Sequence, residues 1–313
     1  MIVNKDQDEL PYLSVIIPCF NARRTISRTL DAVCSQDINS PFEVIVIDSS
    51  NDGTDAIIRA GYPQIRLCHL EEQTLPGSGR NLGVTHARGE IVVFTDSDCV
   101  PDSDWLSRIA VRYQNENTES VGGCVVNGYP WNLVGWVSHL IEFNEWTPKT
   151  PEGFVKNIPS CNISYRKKVF SRFGIHFTDI FPSEDTLFNW TLTQKGGRIY
   201  FDPKIRIVHL SRVGLKKLFK HQATLGRASA EARRVSTLPG KLFVKYPVLC
   251  IGMPVIRWFR ASIRLLKKEP ATLVLFWLIT PLYIPATIAW TVGFLSRGNF
   301  NEPKYIVNKN TSN

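Results

Sequence analysis

The sequence predicts an α/β fold in which a doubly wound, mostly parallel sheet is followed by a helical C-terminal tail of different composition. Short β-branched apolar runs alternate with helix patterns over residues 12–98, which is typical of successive βαβ units. Acidic side chains follow directly after two of these runs, at the positions where open sheets bind ligands. After residue 211 the chain becomes basic and more apolar, which indicates a second region.

Four apolar runs predict the first strands, at residues 13–18, 42–48, 65–69 and 91–95. Each run is short and ends at proline or at polar residues, as buried strands of a parallel sheet do. Asn21 caps the first predicted helix, and the turn Asn-Asp-Gly at 51–53 leads to the second. A Gly-Ser-Gly sequence at 77–79 opens the third helix.

The second half of the sequence has a looser pattern. It predicts a strand at 120–127, an aromatic-rich helix at 131–146, a helix at 183–195 and two short strands at 198–201 and 205–209. A basic helix at about 214–235 completes a first domain, which we assign to residues 1–235, and residues 236–313 form the tail.

The net charge of +9 is unevenly distributed. Residues 1–211 carry 20 Lys and Arg against 25 Asp and Glu, a net −5, whereas residues 212–313 carry 17 against 3, a net +14. Basic side chains beside the most apolar part of a chain suit anionic lipid better than nucleic acid. No zinc-finger, RNA-recognition or helix-turn-helix pattern is present, so we expect a membrane partner and no nucleic acid.

The tail contains a candidate membrane span at residues 271–295, which are 25 consecutive residues without a charged side chain. Pro281 and Pro285 predict a kink there, so a broken span or a re-entrant hairpin is an alternative. A buried C-terminal hairpin of a soluble protein is a further alternative.

The orientation of the chain is predicted from its basic residues. Arg257, Arg260 and Arg264 recur at helical spacing, which indicates a helix lying in the membrane interface. Seven Lys and Arg lie in residues 241–270 and three after residue 295, so the positive-inside rule places the first domain in the cytoplasm, at an inner or plasma membrane. The seven scattered cysteines, without a CxxC or zinc spacing, also indicate a reducing compartment.

Asp96-Ser97-Asp98 is the strongest chemical signal in the sequence. It places two carboxylates on a tight turn after an apolar strand, where like charges repel unless a cation lies beside them. Mn²⁺ and Mg²⁺ prefer oxygen ligands and usually share them with substrate phosphates. A lone Asp-X-Asp is weak, but this one and Asp48 both follow strands, so we expect a divalent cation and a phosphate-bearing ligand at this edge of the sheet.

Several motifs resemble, in order and spacing, those of the family 2 glycosyltransferases. They are Leu-Ser-Val-Ile-Ile-Pro-Cys-Phe-Asn at 13–21, Val-Ile-Asp-Ser-Ser-Asn-Asp-Gly-Thr at 46–54, Gly-Arg-Asn-Leu-Gly at 79–83 and Phe-Thr-Asp-Ser-Asp at 94–98. Residues 183–185 and 198–209 are similar to the later motifs of that family. The resemblance covers residues 12–230 and implies a GT-A fold, with inverting transfer of one sugar from a nucleotide-diphosphate-sugar to a lipid-linked or glycan acceptor.

The resemblance also implies roles for the residues that bind the donor. Asp48 corresponds to the carboxylate that accepts a hydrogen bond from the base, Asp98 to the metal ligand, and Asp96 to a ligand of the ribose or of a metal-bound water. His209 corresponds to the histidine that completes the metal or diphosphate site, although a lone histidine is often structural. We include Pro18, where the first strand stops, among the substrate-binding residues.

The remaining roles belong to the rest of the predicted site. Asp185 is expected to be the general base, at a helix N-terminus where the dipole favours a carboxylate, and Glu184 is expected to orient a loop or bind the acceptor. Arg80 matches the segment that closes over the nucleotide, with a salt-bridged helix arginine as the alternative. Arg227 is assigned to the diphosphate, with a solvated helix face as the alternative.

Two other functions remain open at this stage. A polyprenyl-phosphate sugar synthase would use a phosphate as acceptor and would need little general base. A catalytically silent, membrane-docked nucleotide-binding partner would need no chemistry at all, although the presence of Asp48, Asp98 and Asp185 argues against it.

Overall fold

The computed structural model describes residues 2, 10–114, 118–211 and 213–296. Its strands are β1 (Leu13–Cys19), β2 (Phe42–Asp48), β3 (Arg66–His69), β4 (Ile91–Phe94), β5 (Cys99–Pro101), β6 (Ser120–Asn127), β7 (Gly153–Val155), β8 (Ile163–Arg166) and β9 (Ile199–His209). Its first helices are α1 (Ile26–Cys34), α2 (Thr54–Gly61), α3 (Pro76–His86), α4 (Trp105–Arg112), α5 (Leu133–Glu142) and α6 (Lys168–Phe173). The later helices are α7 (Glu184–Gln194), α8 (Leu215–Val235), α9 (Lys241–Lys245), α10 (Met253–Lys268), α11 (Pro270–Leu278) and α12 (Thr280–Leu295).

The strands form one mixed sheet in the order β3-β2-β1-β4-β8-β6-β9-β5, with β7 beside β9. The four strands β1 to β4 are parallel, as predicted, because a helix crosses over between each of them and the next. Beyond β4 the pairs β4–β8, β6–β8, β5–β9 and β7–β9 are antiparallel, and only β6–β9 is parallel. The α/β class is confirmed, and the parallel character is confined to the N-terminal half and the β6–β9 pair.

Three strands escaped prediction, and two predicted strands are one. β5, β7 and β8 contain only three or four residues, too few for a periodic pattern. The predicted strands at 198–201 and 205–209 are joined in β9 by a bulge, at which the pairing shifts between Gly123 and Cys124. A Cβ atom on Gly123 would lie 1.8 Å from the carbonyl oxygen of Ile205, so only glycine admits this close approach.

Two apolar cores cover the two faces of the sheet. One core packs α1 and α4 against β1 and β2, around Leu30, Trp105 and Ile109. The other packs α7 against β4, β8 and β9, with Phe94, Tyr165 and nearby phenylalanines in edge-to-face contact. Because both faces are covered, the carboxyl ends of the strands are where polar groups gather.

The C-terminal helices pack on the rest of the chain through a third core, which α5 shares with α10, α11 and α12. α12 crosses α8 at very short range. A Cβ atom on Gly226 would lie 1.8 Å from the carbonyl oxygen of Trp290, and one on Gly293 would lie 1.9 Å from that of Ala223. Small residues at both sides of the crossing let the two backbones touch.

The predicted span at residues 271–295 is divided between α11 and α12, which meet at an angle of 78°. In the described part of the chain, no single helix is long and apolar enough to cross a membrane, and α11 and α12 meet that test only as a bent pair. Pro281 begins α12, where its missing N–H costs nothing, and Pro285 lies inside it. The kink therefore falls before Pro281.

Candidate active site

The carboxyl ends of β1, β4 and β9 open into a cavity of about 770 Å³. The strand ends, α3 and α7 contribute Pro18, Arg80, Asp96, Asp98, Glu184, Asp185 and His209 to its lining. The C-terminal helices contribute Arg233, Arg257, Arg260, Arg264, Tyr283 and Trp290. Residues from both predicted regions of the chain thus line one cavity.

Arg80 bridges two carboxylates that line the cavity, those of Asp96 and Glu184. Its guanidinium, 2% exposed, donates one hydrogen bond to Asp96 and one to Glu184, both at 2.7 Å. Burial raises the pKa of Glu184 to about 7, although Arg80 acts in the opposite direction. The second carboxylate oxygen of Glu184 is buried without a protein partner. Arg80 is therefore a salt-bridged helix arginine, which was the alternative to its role in closing over the nucleotide. Its contact with Asp96 also fixes the orientation of that carboxylate.

Asp98 and His209 form the candidate metal site. Asp98 Oδ1 lies 3.7 Å from His209 Nε2, and the other ring nitrogen of His209 lies 3.0 Å from Ser211 Oγ, which fixes the ring orientation. Cys99 Sγ lies within 4.8 Å of both ligand atoms. Burial raises the pKa of Cys99 well above its ordinary value, so this thiol is neutral and is no ligand for a hard cation. A carboxylate and an imidazole remain, a set that fits Mn²⁺ with phosphate oxygens completing its coordination.

Asp185 lies in the first turn of α7, as predicted. Its Oδ1 accepts hydrogen bonds from the N–H and the hydroxyl of Thr186, at 2.6 and 3.2 Å, and its Oδ2 accepts one from the Ser160 N–H at 3.0 Å. Ser183, at the N-cap position of this helix, makes no side-chain capping bond. The three donors hold the carboxylate in one orientation, and Oδ2 keeps a lone pair for a further proton donor.

Asp48 is at the end of β2 but does not line the cavity. Its carboxylate is fully buried, accepting a hydrogen bond from the Ser50 hydroxyl at 2.5 Å and lying 2.7 Å from His69 Nδ1. The direct contact with a base that the sequence predicted for Asp48 is therefore not available in this conformation. His69, which contacts this carboxylate from the end of β3, is partly exposed, whereas Asp48 is not.

Arg227 is not brought to the site. It lies on the exposed side of α8, where its Nε donates to Ser296 Oγ at 3.2 Å, and it does not line the cavity. The alternative given above, a solvated helix face, is the one its position matches. Helical periodicity assigned α8 correctly, but the face that α12 covers could not be read from it.

Sequence reasoning missed one buried carboxylate. Glu142, at the end of α5, accepts hydrogen bonds from Ser138 and Gln222 and lies 3.1 Å from His221 Nε2. Burial alone would raise the pKa of Glu142, but His221 and His209 lower it to about 2. Glu142 also acts electrostatically on Arg257, and it lines the cavity together with His209 and with the arginines of the helical wall, which is the side formed by α8, α10 and α12.

Comparison with known proteins identifies the first half of the chain. The family model for glycosyl transferase family 2 matches residues 14–174. Glycosyltransferase AglE of Haloferax volcanii is 37% identical over 126 residues, which cover 39% of this chain and 41% of that protein. A Methanococcus voltae dolichyl N-acetyl-alpha-D-glucosaminyl phosphate 3-beta-D-2,3-diacetamido-2,3-dideoxy-beta-D-glucuronosyltransferase is 25% identical over 297 residues, covering 84% of this chain and 91% of that one. Several other curated relatives match over only about a third of their length.

Solved structures share the fold at low identity. The mannosyltransferase PcManGT from Pyrobaculum calidifontis, in complex with GDP-Man and Mn²⁺, has a TM-score of 0.54 and 21% identity, covering 91% of this chain and 85% of that one. TarS of Staphylococcus aureus, in complex with UDP-GlcNAc, has a TM-score of 0.50 and 20% identity, covering 90% of both chains. The likeness extends through the C-terminal helices and confirms the GT-A fold.

Proposed function

Because the chain belongs to glycosyl transferase family 2, we propose that it transfers one sugar, with inversion, from a nucleotide-diphosphate-sugar to a membrane-proximal acceptor. The observation that carries this proposal is the meeting of Asp98, His209 and Asp185 at one cavity below the strand ends. These are a candidate metal pair and a candidate base. Relatives named for GDP-Man, UDP-GlcNAc and a dolichyl phosphate acceptor support the same class of donor and acceptor.

The chemistry assigns one task to each group. Displacement at the anomeric carbon requires that the acceptor hydroxyl lose its proton, and Asp185 takes it. A divalent cation bound by Asp98 and His209 would neutralise the charge that develops on the leaving diphosphate. Arg80 holds Asp96 and Glu184 in fixed positions, so the carboxylate side of the cavity needs no rearrangement when the donor binds.

We further propose that the C-terminal helices lie on an inner or plasma membrane, with the catalytic residues on the cytoplasmic side. α10 supports this, because four apolar side chains on one stripe of the helix are about half exposed: Val255, Phe259, Ile263 and Leu266. Val248 and Ile251, which precede that helix, are 68% and 78% exposed. Basic side chains such as Lys267 border this apolar face, as in helices that bind anionic bilayers.

Vesicle sedimentation tests the membrane proposal. Phe259→Asp and Leu266→Asp should each weaken binding to vesicles containing anionic lipid, because a carboxylate would replace buried apolar contact with lipid. Val111→Asp is the matched control, since Val111 is 59% exposed on α4, far from the tail in sequence. Equal loss in all three variants would contradict the assignment of this face.

Thermal stabilisation tests the donor proposal. Nucleotides and nucleotide-sugars of uridine, guanosine and thymidine are each added with Mn²⁺, with Mg²⁺ and with neither. A ligand that binds the native state raises the melting temperature by mass action, and we expect one base to do so only with a divalent cation. Stabilisation by none of them, or the same stabilisation in Asp98→Ala, would refute the proposal.

The arginines that line the cavity support a second candidate, a polyprenyl-phosphate sugar synthase, in which a phosphate oxygen is the nucleophile. A phosphate is already ionised at neutral pH, so Asp185 would have little to do. The activity of Asp185→Asn therefore distinguishes the two candidates.

A further inference from the structure

The helical wall of the cavity holds arginines that form no ion pair with a carboxylate among the described residues. Within the described residues, none of Arg233, Arg257 and Arg260 has an acidic side chain within ion-pair distance. Arg233 donates only to the hydroxyl of Ser229 and to backbone carbonyls. Arg257 lies over the ring of Trp290, with 4.4 Å between its guanidinium carbon and the ring centroid.

Neighbouring arginines on this wall also repel one another. Burial lowers the pKa of Arg233, and the charge of Arg257 lowers it further. Burial and the charge of Arg260 lower the pKa of Arg257, although Tyr283 and Glu142 act in the opposite direction. Partly buried cations are normally paired or bound to an anion. Arg264, on the same helix, differs from them, since it forms an ion pair with Glu145 and a hydrogen bond to Asn144. The unmatched positive charge is therefore confined to one part of the wall.

We propose that Arg257 and Arg260, supported by Arg233, bind the phosphate or diphosphate group of a polyprenyl-linked acceptor. This inference rests on the proposed function, because it adds the acceptor's anionic group to the same cavity. Guanidinium groups bind phosphate oxygens through paired hydrogen bonds, which suits them to this task.

The arrangement of α10 favours an acceptor embedded in lipid over a free anion. The arginines at 257, 260 and 264 form one row on the helix, and the exposed apolar stripe at 255, 259, 263 and 266 lies on the opposite side of it. A helix that lies in the interface on that stripe turns its arginine row away from the acyl chains, toward the head groups and the cavity. The phosphate of a membrane-inserted prenyl chain, which lies at the level of the head groups, is then on the arginine side of the helix.

The sheet side of the cavity offers a separate place for the donor. Asp98 and His209 can hold the donor's diphosphate through a metal ion, whereas the arginines come from α8 and α10. Glu142, which lines the same cavity, interacts electrostatically with His209 of the first set and with Arg257 of the second. Two anionic groups can therefore be bound at once, each with its own counter-charge.

Binding of farnesyl diphosphate in the presence of EDTA tests the proposal, because without a divalent cation the diphosphate cannot use the metal site. The full chain is titrated with farnesyl diphosphate, farnesol and inorganic phosphate. We expect farnesyl diphosphate to bind, and Arg257→Gln and Arg260→Gln each to weaken it at least about tenfold, the usual cost of one charged hydrogen bond. Arg257→Lys, which keeps the charge and loses the fork, should lie between wild type and Arg257→Gln.

Lys267→Gln is the matched control, since it removes one positive charge from the same helix outside the cavity. It should leave the affinity unchanged within about twofold, because an exposed charge away from the ligand contributes little. If Lys267→Gln lost as much affinity as Arg257→Gln, the binding would depend on the overall positive charge of the helix and not on a specific site, which would overturn the proposal. Thermal unfolding of each variant, and the exposed position of Arg260, separate lost binding from lost folding.

A second titration, of UDP, GDP and TDP with Mn²⁺, separates this inference from the proposed function. Unchanged nucleotide affinity in Arg257→Gln supports the inference, whereas a parallel loss of nucleotide and farnesyl diphosphate binding would assign the arginines to the donor and overturn it. If wild type binds none of the three nucleotides, the proposed function fails while the first titration still reports on the arginines. Binding of inorganic phosphate or farnesol as tight as that of farnesyl diphosphate would overturn the prenyl-phosphate assignment.

Discussion

Arg80 and Arg257 line the same cavity on opposite walls, and their surroundings differ. Arg80 belongs to the sheet wall, formed by the strand ends with α3 and α7, and Arg257 belongs to the helical wall, formed by α8, α10 and α12. Arg80 is buried between two carboxylates, each 2.7 Å away, and its charge is balanced within the chain. Arg257 is half-buried against an aromatic ring, and no described carboxylate pairs with it. The charge of Arg80 on the sheet wall is thus balanced within the chain, whereas the charge of Arg257 on the helical wall has no ion-pair partner among the described residues. The following predictions test that contrast, in order of decreasing effect.

Asp98→Ala should have the largest effect. Without the carboxylate of Asp98 the candidate metal site keeps only His209 of its proposed ligand pair, and transfer from the nucleotide-sugar should fall about 10³-fold, since charge neutralisation by a metal is worth several kcal/mol. The measurement is the initial rate with Mn²⁺, together with Mn²⁺ affinity. Asp104→Ala, on the surface next to Arg108, is the control and should retain full activity.

Arg80→Met should destabilise the sheet wall itself. Removing the cation leaves the buried carboxylate of Glu184 unpaired, at a cost of about 3–5 kcal/mol in the free energy of unfolding. Arg59→Met removes an exposed pair with Asp55 and should cost less than about 1 kcal/mol. Denaturant unfolding of both variants gives the comparison, and equal losses would mean that Arg80 has no special role in stability.

Glu184→Gln should change how stability depends on pH. Burial raises the pKa of Glu184 to about 7 in the native state, from 4.5 when unfolded, so the native state binds more protons between these values. Protonated Glu184 therefore adds to the free energy of unfolding, by about 3 kcal/mol at most. This stabilisation is fully present below pH 4.5 and is lost as the pH rises through 7. Unfolding at pH 5, 6, 7 and 8 should therefore show a decline in wild type that is weaker in Glu184→Gln.

Asp185→Asn preserves shape and removes the base. If the acceptor is a hydroxyl, the rate constant for transfer should fall about 10²-fold, while donor affinity stays the same. Measuring kcat and the donor's Kd separately makes the result specific to proton transfer. If Asp185→Asn kept the full kcat, the acceptor would be a phosphate, which needs no general base, and not a hydroxyl.

Gly226→Ala should affect the helical wall alone. Its Cβ would lie 1.8 Å from the Trp290 carbonyl oxygen, so α12 must move away from α8 at a cost of about 1–3 kcal/mol. Gly214→Ala, where the added Cβ meets open space, should be neutral. Binding of nucleotide with Mn²⁺ should survive in Gly226→Ala, since the sheet wall is unchanged. Loss of nucleotide binding would show that the walls are not independent.

The sheet wall was the more predictable from sequence. β1 to β4 are contiguous apolar runs, and because parallel strands end at one edge, Asp96 and Asp98 could be assigned to the site in advance. Asp185 could be assigned through its place in a motif. The pairing of Arg80 with Glu184 could not be predicted, because 104 residues separate them and only the folded topology brings them together.

The helical wall was predictable in composition and not in arrangement. The basic row of α10 and the apolar run after residue 270 were visible, but periodicity does not say which face meets another helix. It therefore missed the crossing of α12 over α8, which left Arg227 outside and brought Arg257 into the cavity. The contact of Asp48 with His69 could not be predicted for a similar reason, since His69 comes from another strand.

The close crossing of α8 and α12 bears on how the protein is shortened for laboratory work. A membrane-associated tail is often trimmed to obtain a soluble catalytic fragment, and residue 235 would be the natural place to cut. A cut at this residue would remove α12, which packs on α8 at Gly226, and would expose buried alanines such as Ala230. It would also remove Arg257 and Trp290 from the lining of the cavity. A fragment of residues 1–235 would carry the sheet wall with half a binding cleft, so acceptor specificity has to be studied on the full chain.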